Sequence, residues 1–205
     1  MQLLRHESRR SRDFGGGLTK IKKVIASLTV LILLTFSTLS VSAATVNVPA
    51  VKQSFSNWCW AACAEMEGKG VNPSSSVTQD TIVTLLFGSG SPNVGANAYT
   101  TATACSIGSS STKTFYVATL GYSYSQIMAS INAGYPLVGI MGNVNGTTNL
   151  HDIVIYGYTT VSSVNYVYIV DPSTGGCKQK TYTSIANGSW YGSGSYPYSG
   201  TIYTY

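Results

Sequence analysis

The sequence predicts an α+β fold. Glycine-punctuated helical segments occupy the chain up to residue 134, short runs rich in Val, Ile and Tyr occupy it after residue 136, and the two patterns do not alternate. That order places helices first and an antiparallel sheet second. Charged residues make up 9% of the chain against about 25% in an average soluble protein, which excludes a coiled coil and a highly charged disordered tail.

Each element has its own signal. Thr45 to Val51 alternates apolar and polar residues and reads as an extended lead-in, and Ser54 to Asn57 reads as a turn. Cys59-Trp60-Ala61-Ala62-Cys63-Ala64-Glu65-Met66 is built from good helix formers and stops at Gly68-Lys69-Gly70, with Cys59 in the first turn. Val77 to Phe87 is a second helix, with Asp80 in its first turn and Gly88 past its end. Residues 88–112 are mostly Gly, Ser, Ala, Asn and Thr around Cys105 and read as a long loop in need of a bridge or close packing. Tyr124 to Ala133 is a third helix closed by Gly134. Pro136 to Met141, Ile153 to Tyr158 and Tyr166 to Val170 are strands, and Thr181 to Tyr182 and Thr201 to Tyr205 are candidates for two more.

The formal charge of +5 is misleading, because seven of the twelve basic residues precede residue 24. After Ala43 five lysines face five acids, so the remaining chain is neutral and has no basic face for a nucleic acid. Lys20, Lys22 and Lys23 are followed by an apolar run from Val24 to Val41 and by Ser42-Ala43-Ala44, whose small residues suit a signal peptidase cutting after Ala43 or Ala44. Residues 1–43 are therefore expected to be a signal peptide and residues 44–205 one secreted domain, with no membrane segment after cleavage. An uncleaved anchor is the competing reading of that run.

Export favours pairing of the cysteines Cys59, Cys63, Cys105 and Cys177, though spacing does not choose the pairs. A metal site is not expected, since there are no paired C-x-x-C knuckles and only one histidine follows the leader. No cofactor motif is present either: the glycines and lysine of a phosphate-binding loop are missing, as is the G-x-S-x-G elbow of a serine hydrolase.

The chemistry converges on four residues. A thiol in the first turn of a helix, as at Cys59, faces backbone N–H groups and the positive end of the helix dipole, both of which favour the thiolate. His151 opens a strand and is the base that could complete a nucleophile pair. Asp171, at the end of the following strand, can hold the imidazole, whereas the adjacent Asp152 is directed to the opposite face of its strand. Gln53, six residues before Cys59 across a turn, could supply an amide donor to a developing oxyanion.

Gln53-Ser-Phe-Ser-Asn-Trp-Cys59-Trp60-Ala61 resembles the active-site segment of papain-like cysteine peptidases. His151-Asp-Ile-Val-Ile-Tyr-Gly157-Tyr158, leading to Tyr166-Val-Tyr-Ile-Val-Asp171-Pro172, is similar to the family's histidine strand and the strand bearing its orienting Asn or Asp. Ala133-Gly-Tyr-Pro136-Leu-Val-Gly-Ile is similar to the step that precedes the histidine in compact bacterial members. The resemblance implies that Cys59 is the nucleophile, His151 the general base and acid, Asp171 the orienter and Gln53 an oxyanion donor. It also implies a cleft between a helical half and a β half, and a peptide or protein substrate cleaved through a thioester; the chain is expected to be a monomer.

Three departures point to the compact secreted type related to bacteriocin-leader peptidases and papain-fold effector proteases. Ser56 stands where papain has a cysteine, Asp171 replaces the usual Asn without the tryptophan that shields papain's triad, and Cys59 and His151 are 92 residues apart instead of about 130 to 150. Fewer than a dozen residues separate the expected signal cleavage from Gln53, which leaves no room for a papain-style inhibitory propeptide, so control is expected to come from export, redox state or a separate protein inhibitor. With Cys59 reserved as a working thiol, a Cys63–Cys105 bridge is the expected staple for the loop. Two other readings share the sequence: a deamidase or transglutaminase-like acyltransferase using the same residues, and a non-catalytic exported binding module with Cys59 bridged.

Overall fold

The β-rich second half of the sequence builds one sheet, and the helices of the first half cover it. In a computed structural model the protein is described over residues 42–90, 92–142, 151–190 and 196–205. The expected signal segment lies outside these residues except for Ser42 and Ala43, and the expected cut falls within the first strand.

The elements run β1 (Ser42–Thr45), α1 (Cys59–Val71), α2 (Gln79–Phe87), α3 (Ala98–Gly108), β2 (Tyr116–Ala118), α4 (Tyr124–Asn132), β3 (Leu137–Met141), β4 (His151–Val161), β5 (Val164–Asp171), β6 (Gly176–Thr181), α5 (Tyr182–Ala186) and β7 (Tyr198–Tyr203). The seven strands form a single sheet in the order β2-β7-β3-β4-β5-β6, with β1 also on β4 and every pairing antiparallel. The α+β expectation therefore holds.

Both faces of the sheet are covered, which is why its central strands read as continuous apolar runs and not as alternations. Val138, Ile140, Val154, Val170 and Ile202 pack against α1 to α3, and Leu137, Met141, Ile153, Ile155, Val167 and Ile169 pack against α4 and α5. Each fully buried Ile or Leu in these layers contributes about 1.5–3 kcal/mol. The first half of β4 pairs with β3 and its second half with β1. Gly157 marks the changeover: a Cβ there would come within 2.7 Å of Thr45 Cγ2 and 2.9 Å of the Ala44 carbonyl oxygen, so only glycine lets β1 lie this close.

The helices start where capping residues stand. Thr78, Asn97, Ser123 and Thr181 each accept a hydrogen bond from a first-turn backbone N–H, and Ser123 forms a reciprocal capping box with Gln126. Helix α1 lacks such a cap: the Trp58 side chain offers no acceptor, so the first N–H groups of the helix are left for another partner.

The chief correction concerns residues 98–108, expected as loop and found as helix α3. Its Thr-rich composition hides the helix, but Asn97 caps it and burial against α1 supplies the stability that propensity does not. The two helices meet along a seam without side chains, where a Cβ on Gly108 would collide with the Ala64 carbonyl and one on Gly68 with the Gly108 backbone. Packed this way, α3 needs no staple. The expected Cys63–Cys105 bridge is absent: all four cysteines are thiols, with Cys63 and Cys105 fully buried. Smaller differences lie at the sheet edges. β2 is too short to signal itself, and β6 begins at Gly176 in a lysine-bearing edge segment with little apolar pattern, so Tyr182 opens α5 instead of closing a strand.

Candidate active site

Cys59, His151, Asp152, Gln53 and Ser173 line one cleft of about 190 Å³, together with Ser56, Asn57, Trp60, Gly95 and Ala96. The cleft opens at the end of the sheet, where the N-terminus of α1 meets the first residue of β4 and the last of β5. Gln53 and Cys59 reach it from one segment and His151 from the start of β4, while Asp171 is bonded to His151 and is not among the lining residues.

His151 and Asp171 are joined directly, Nε2 to Oδ1 at 2.8 Å, and both are buried. Three further hydrogen bonds converge on the Asp171 carboxylate. Oδ1 also accepts from the Ser173 N–H at 3.0 Å and its hydroxyl at 2.7 Å, and Oδ2 accepts from Lys178 Nζ at 2.7 Å. Burial alone would raise this carboxyl, but the bonds from His151, Lys178 and Ser173 outweigh it and hold the group below the usual carboxylate range. An ionised carboxylate only accepts, so in this pair Nε2 is the donor to Asp171.

Asp152 behaves oppositely. It is fully buried on the α1–α3 face of the sheet, its Oδ2 accepts only a 3.3 Å bond from Thr101 Oγ1, and Oδ1 has no hydrogen-bond partner among the described residues. Burial pushes its carboxyl up to about 7, with nearby His151 and the Thr101 hydroxyl pulling the other way. Its side chain does point away from the imidazole, as strand geometry requires.

The Cys59 thiol is pushed up to about 12, by burial first and by the Asp152 carboxylate second. The backbone N–H groups of Asp152, Trp60 and Cys59 itself favour the thiolate but are outweighed. The helix terminus expected to ionise the sulfur is therefore present and insufficient. Burial therefore favours the neutral thiol at Cys59 over the thiolate.

Gln53 lines the same cleft as Cys59, and its amide is held by loop carbonyls. Nε2 donates to the carbonyls of Phe55 at 2.9 Å and Ser56 at 2.8 Å, and Oε1 has no hydrogen-bond partner among the described residues. Its backbone is fixed by an N–H bond to the Pro172 carbonyl, next to Asp171. Gln79 clamps the residues on either side, accepting from the Ser54 N–H at 2.9 Å and donating to the Lys52 carbonyl at 3.0 Å, while its own N–H is held by buried Glu65 at 2.8 Å.

The residues flanking the cysteine are tied to a segment, Pro92 to Val94, that the sequence did not single out. Trp58 and Trp60, flanking the cysteine, donate from Nε1 to the carbonyls of Pro92 and Val94, both at 3.0 Å. Asn93 adds side-chain bonds to the Asn57 N–H and to Ser56 Oγ, each 2.9 Å long. Asn57 and Asn93 are 36 residues apart, and Trp58 and Trp60 each bond a carbonyl 34 residues on, so no local pattern announces these contacts. Among the described residues no group of three or more His, Cys, Asp or Glu could hold a metal ion, and no helix is long and apolar enough to cross a membrane.

A helical layer presenting a cysteine from a helix N-terminus, against an antiparallel sheet presenting a hydrogen-bonded His–Asp pair, defines a papain-like cysteine peptidase fold. The model of the Peptidase_C39 like family matches residues 45–198, and the chain belongs to that family. No curated protein sequence matches it significantly. Family membership makes it a cysteine peptidase in general and implies a peptide substrate.

Proposed function

We propose that the protein is a secreted cysteine endopeptidase in which Cys59 is the nucleophile, His151 the general base and acid, Asp171 the orienter of the imidazole and Gln53 a donor to the oxyanion. The observation that carries this reading is the 2.8 Å His151–Asp171 bond at the mouth of a cleft shared with Cys59. The Cys59 proton passes to His151 Nδ1 as Sγ attacks the peptide carbonyl carbon, and the carbonyl π electrons move to oxygen. The oxyanion is met by the Cys59 backbone N–H, and by Gln53 once its amide releases a loop carbonyl. Collapse expels the amine, which takes the proton back from His151, and leaves a thioester. Water, deprotonated by His151, then hydrolyses the thioester and restores the thiol.

Labelling with an epoxysuccinyl-type inhibitor tests the assignment. The intact chain takes up one label, Cys59→Ala takes up none, and His151→Ala reacts at least about 100-fold more slowly. Labelling of His151→Ala at the full rate would remove the imidazole from the mechanism. Ammonia release from a peptide without chain cleavage would redirect the same residues to deamidation.

A further inference from the structure

Lys178 extends the His151–Asp171 pair into a three-residue row across adjacent strands. It lies on β6 opposite Ile169, two positions along from Gly176, the partner of Asp171, so its long side chain reaches the carboxylate diagonally. The contact is a 2.7 Å ion pair on Oδ2, the oxygen that His151 does not use. The Asp171 side chain is 1% exposed and that of Lys178 is 34% exposed, so the carboxylate is buried while the ammonium keeps access to water.

A buried carboxylate paired only with a histidine draws a proton onto the ring, because imidazolium is then its sole counter-charge. Here a permanent cation already fills that role. Building on the peptidase reading above, we propose that Lys178 is a positioning residue for the catalytic base: by neutralising Asp171 through Oδ2, it keeps the His151 imidazole uncharged and able to accept the Cys59 proton. The charged and titratable groups facing the pair are Cys59 and Cys63 on α1, Asp152 on β4 and Lys178 on β6. Lys178 is the only cation among them, so its removal leaves the imidazole to balance Asp171.

The test reads the ring itself. In the full chain with isotope-labelled histidine, His151 is assigned by its loss in His151→Ala and titrated by NMR in wild type and in Lys178→Met, Lys178→Gln, Lys178→Arg and Lys180→Met. The titration midpoint of His151 is expected to rise by about one unit in Lys178→Met and Lys178→Gln, to stay near wild type in Lys178→Arg, and not to move in Lys180→Met, which removes a charge from the same strand without touching Asp171. The acid limb of Cys59 alkylation by iodoacetamide should move with it. A midpoint in folded Lys178→Met that matches Lys180→Met overturns the proposal; if Lys178→Met does not fold, Lys178→Gln decides it by the same criterion. Alkylation indifferent to His151→Ala would instead sink the peptidase reading, while the ring titration would still judge Lys178.

Discussion

Asp171 and Asp152 stand at neighbouring strand ends on opposite faces of the sheet, and their environments make them different chemical groups. Asp171 collects four hydrogen bonds, one from a lysine, and is an ion. Asp152 collects one long hydrogen bond from Thr101 and has its carboxyl raised to about 7 beneath the sulfur. Deeper along α1, Glu67 is an extreme of the second kind: it is fully buried, neither oxygen has a hydrogen-bond partner among the described residues, and burial pushes its carboxyl well above the ordinary range. Residue type does not decide whether a buried acid orients a base or sits protonated; the number of donors around it does.

The sharpest way to break this contrast is Asp171→Ala, which strips His151 and Lys178 of their shared partner. Its epoxysuccinyl labelling rate should fall by roughly 10³-fold and its stability by about 3–5 kcal/mol in urea titrations at pH 7. The carboxyl is lowered in the folded state, so its contribution is present above the unfolded value near 4 and lost as pH falls, and the deficit of the variant should shrink in acid.

Glu67→Met should act in the other direction, stabilising the fold by about 1–3 kcal/mol at pH 8. The folded carboxyl is raised, so holding it ionised opposes folding increasingly as pH climbs above the unfolded value, and the gain should be smaller at pH 4. Thermal melts at the two pH values check the sign.

Asp152→Asn preserves shape and removes the charge. Its melting temperature should exceed wild type above pH 7 and converge on it near pH 4, since the penalty of ionising Asp152 accumulates between about 4 and 7. With that charge gone, iodoacetamide should alkylate Cys59 about three- to tenfold faster at pH 8. The smallest effect belongs to Ser173→Ala, which removes one of four donors from Asp171: about 1 kcal/mol in urea titrations, with His151 remaining bonded.

The legible part of the site was the part with local signatures. Gln53, Cys59 and Trp60 share one short segment, His151 opens an apolar run and Asp171 closes the next; the first four line one cleft and Asp171 bonds to His151. Period-two geometry turned Asp152 to the other face from the ring, but its effect on Cys59 was invisible, because it comes from tertiary packing that includes a helix the sequence disguised as loop. Lys178 carried no signal: it lies on an edge strand of polar residues, seven positions past its partner. Gln79 and Asn93 act through hydrogen bonds to backbone, and a composition of common polar residues does not reveal such bonds before the chain is folded. For the fold, apolar periodicity placed the central strands, whereas α3 owes its existence to a glycine seam that only tertiary contact exposes.

The Ser56–Asn93 bond has a practical consequence for handling the enzyme. Where papain carries a covalent crosslink beside its nucleophile, this chain ties the cleft wall with a hydroxyl and an amide. Dithiothreitol, added to keep the Cys59 sulfur from oxidising, therefore has nothing to cut in that wall, and the groove should keep its shape at any reductant concentration.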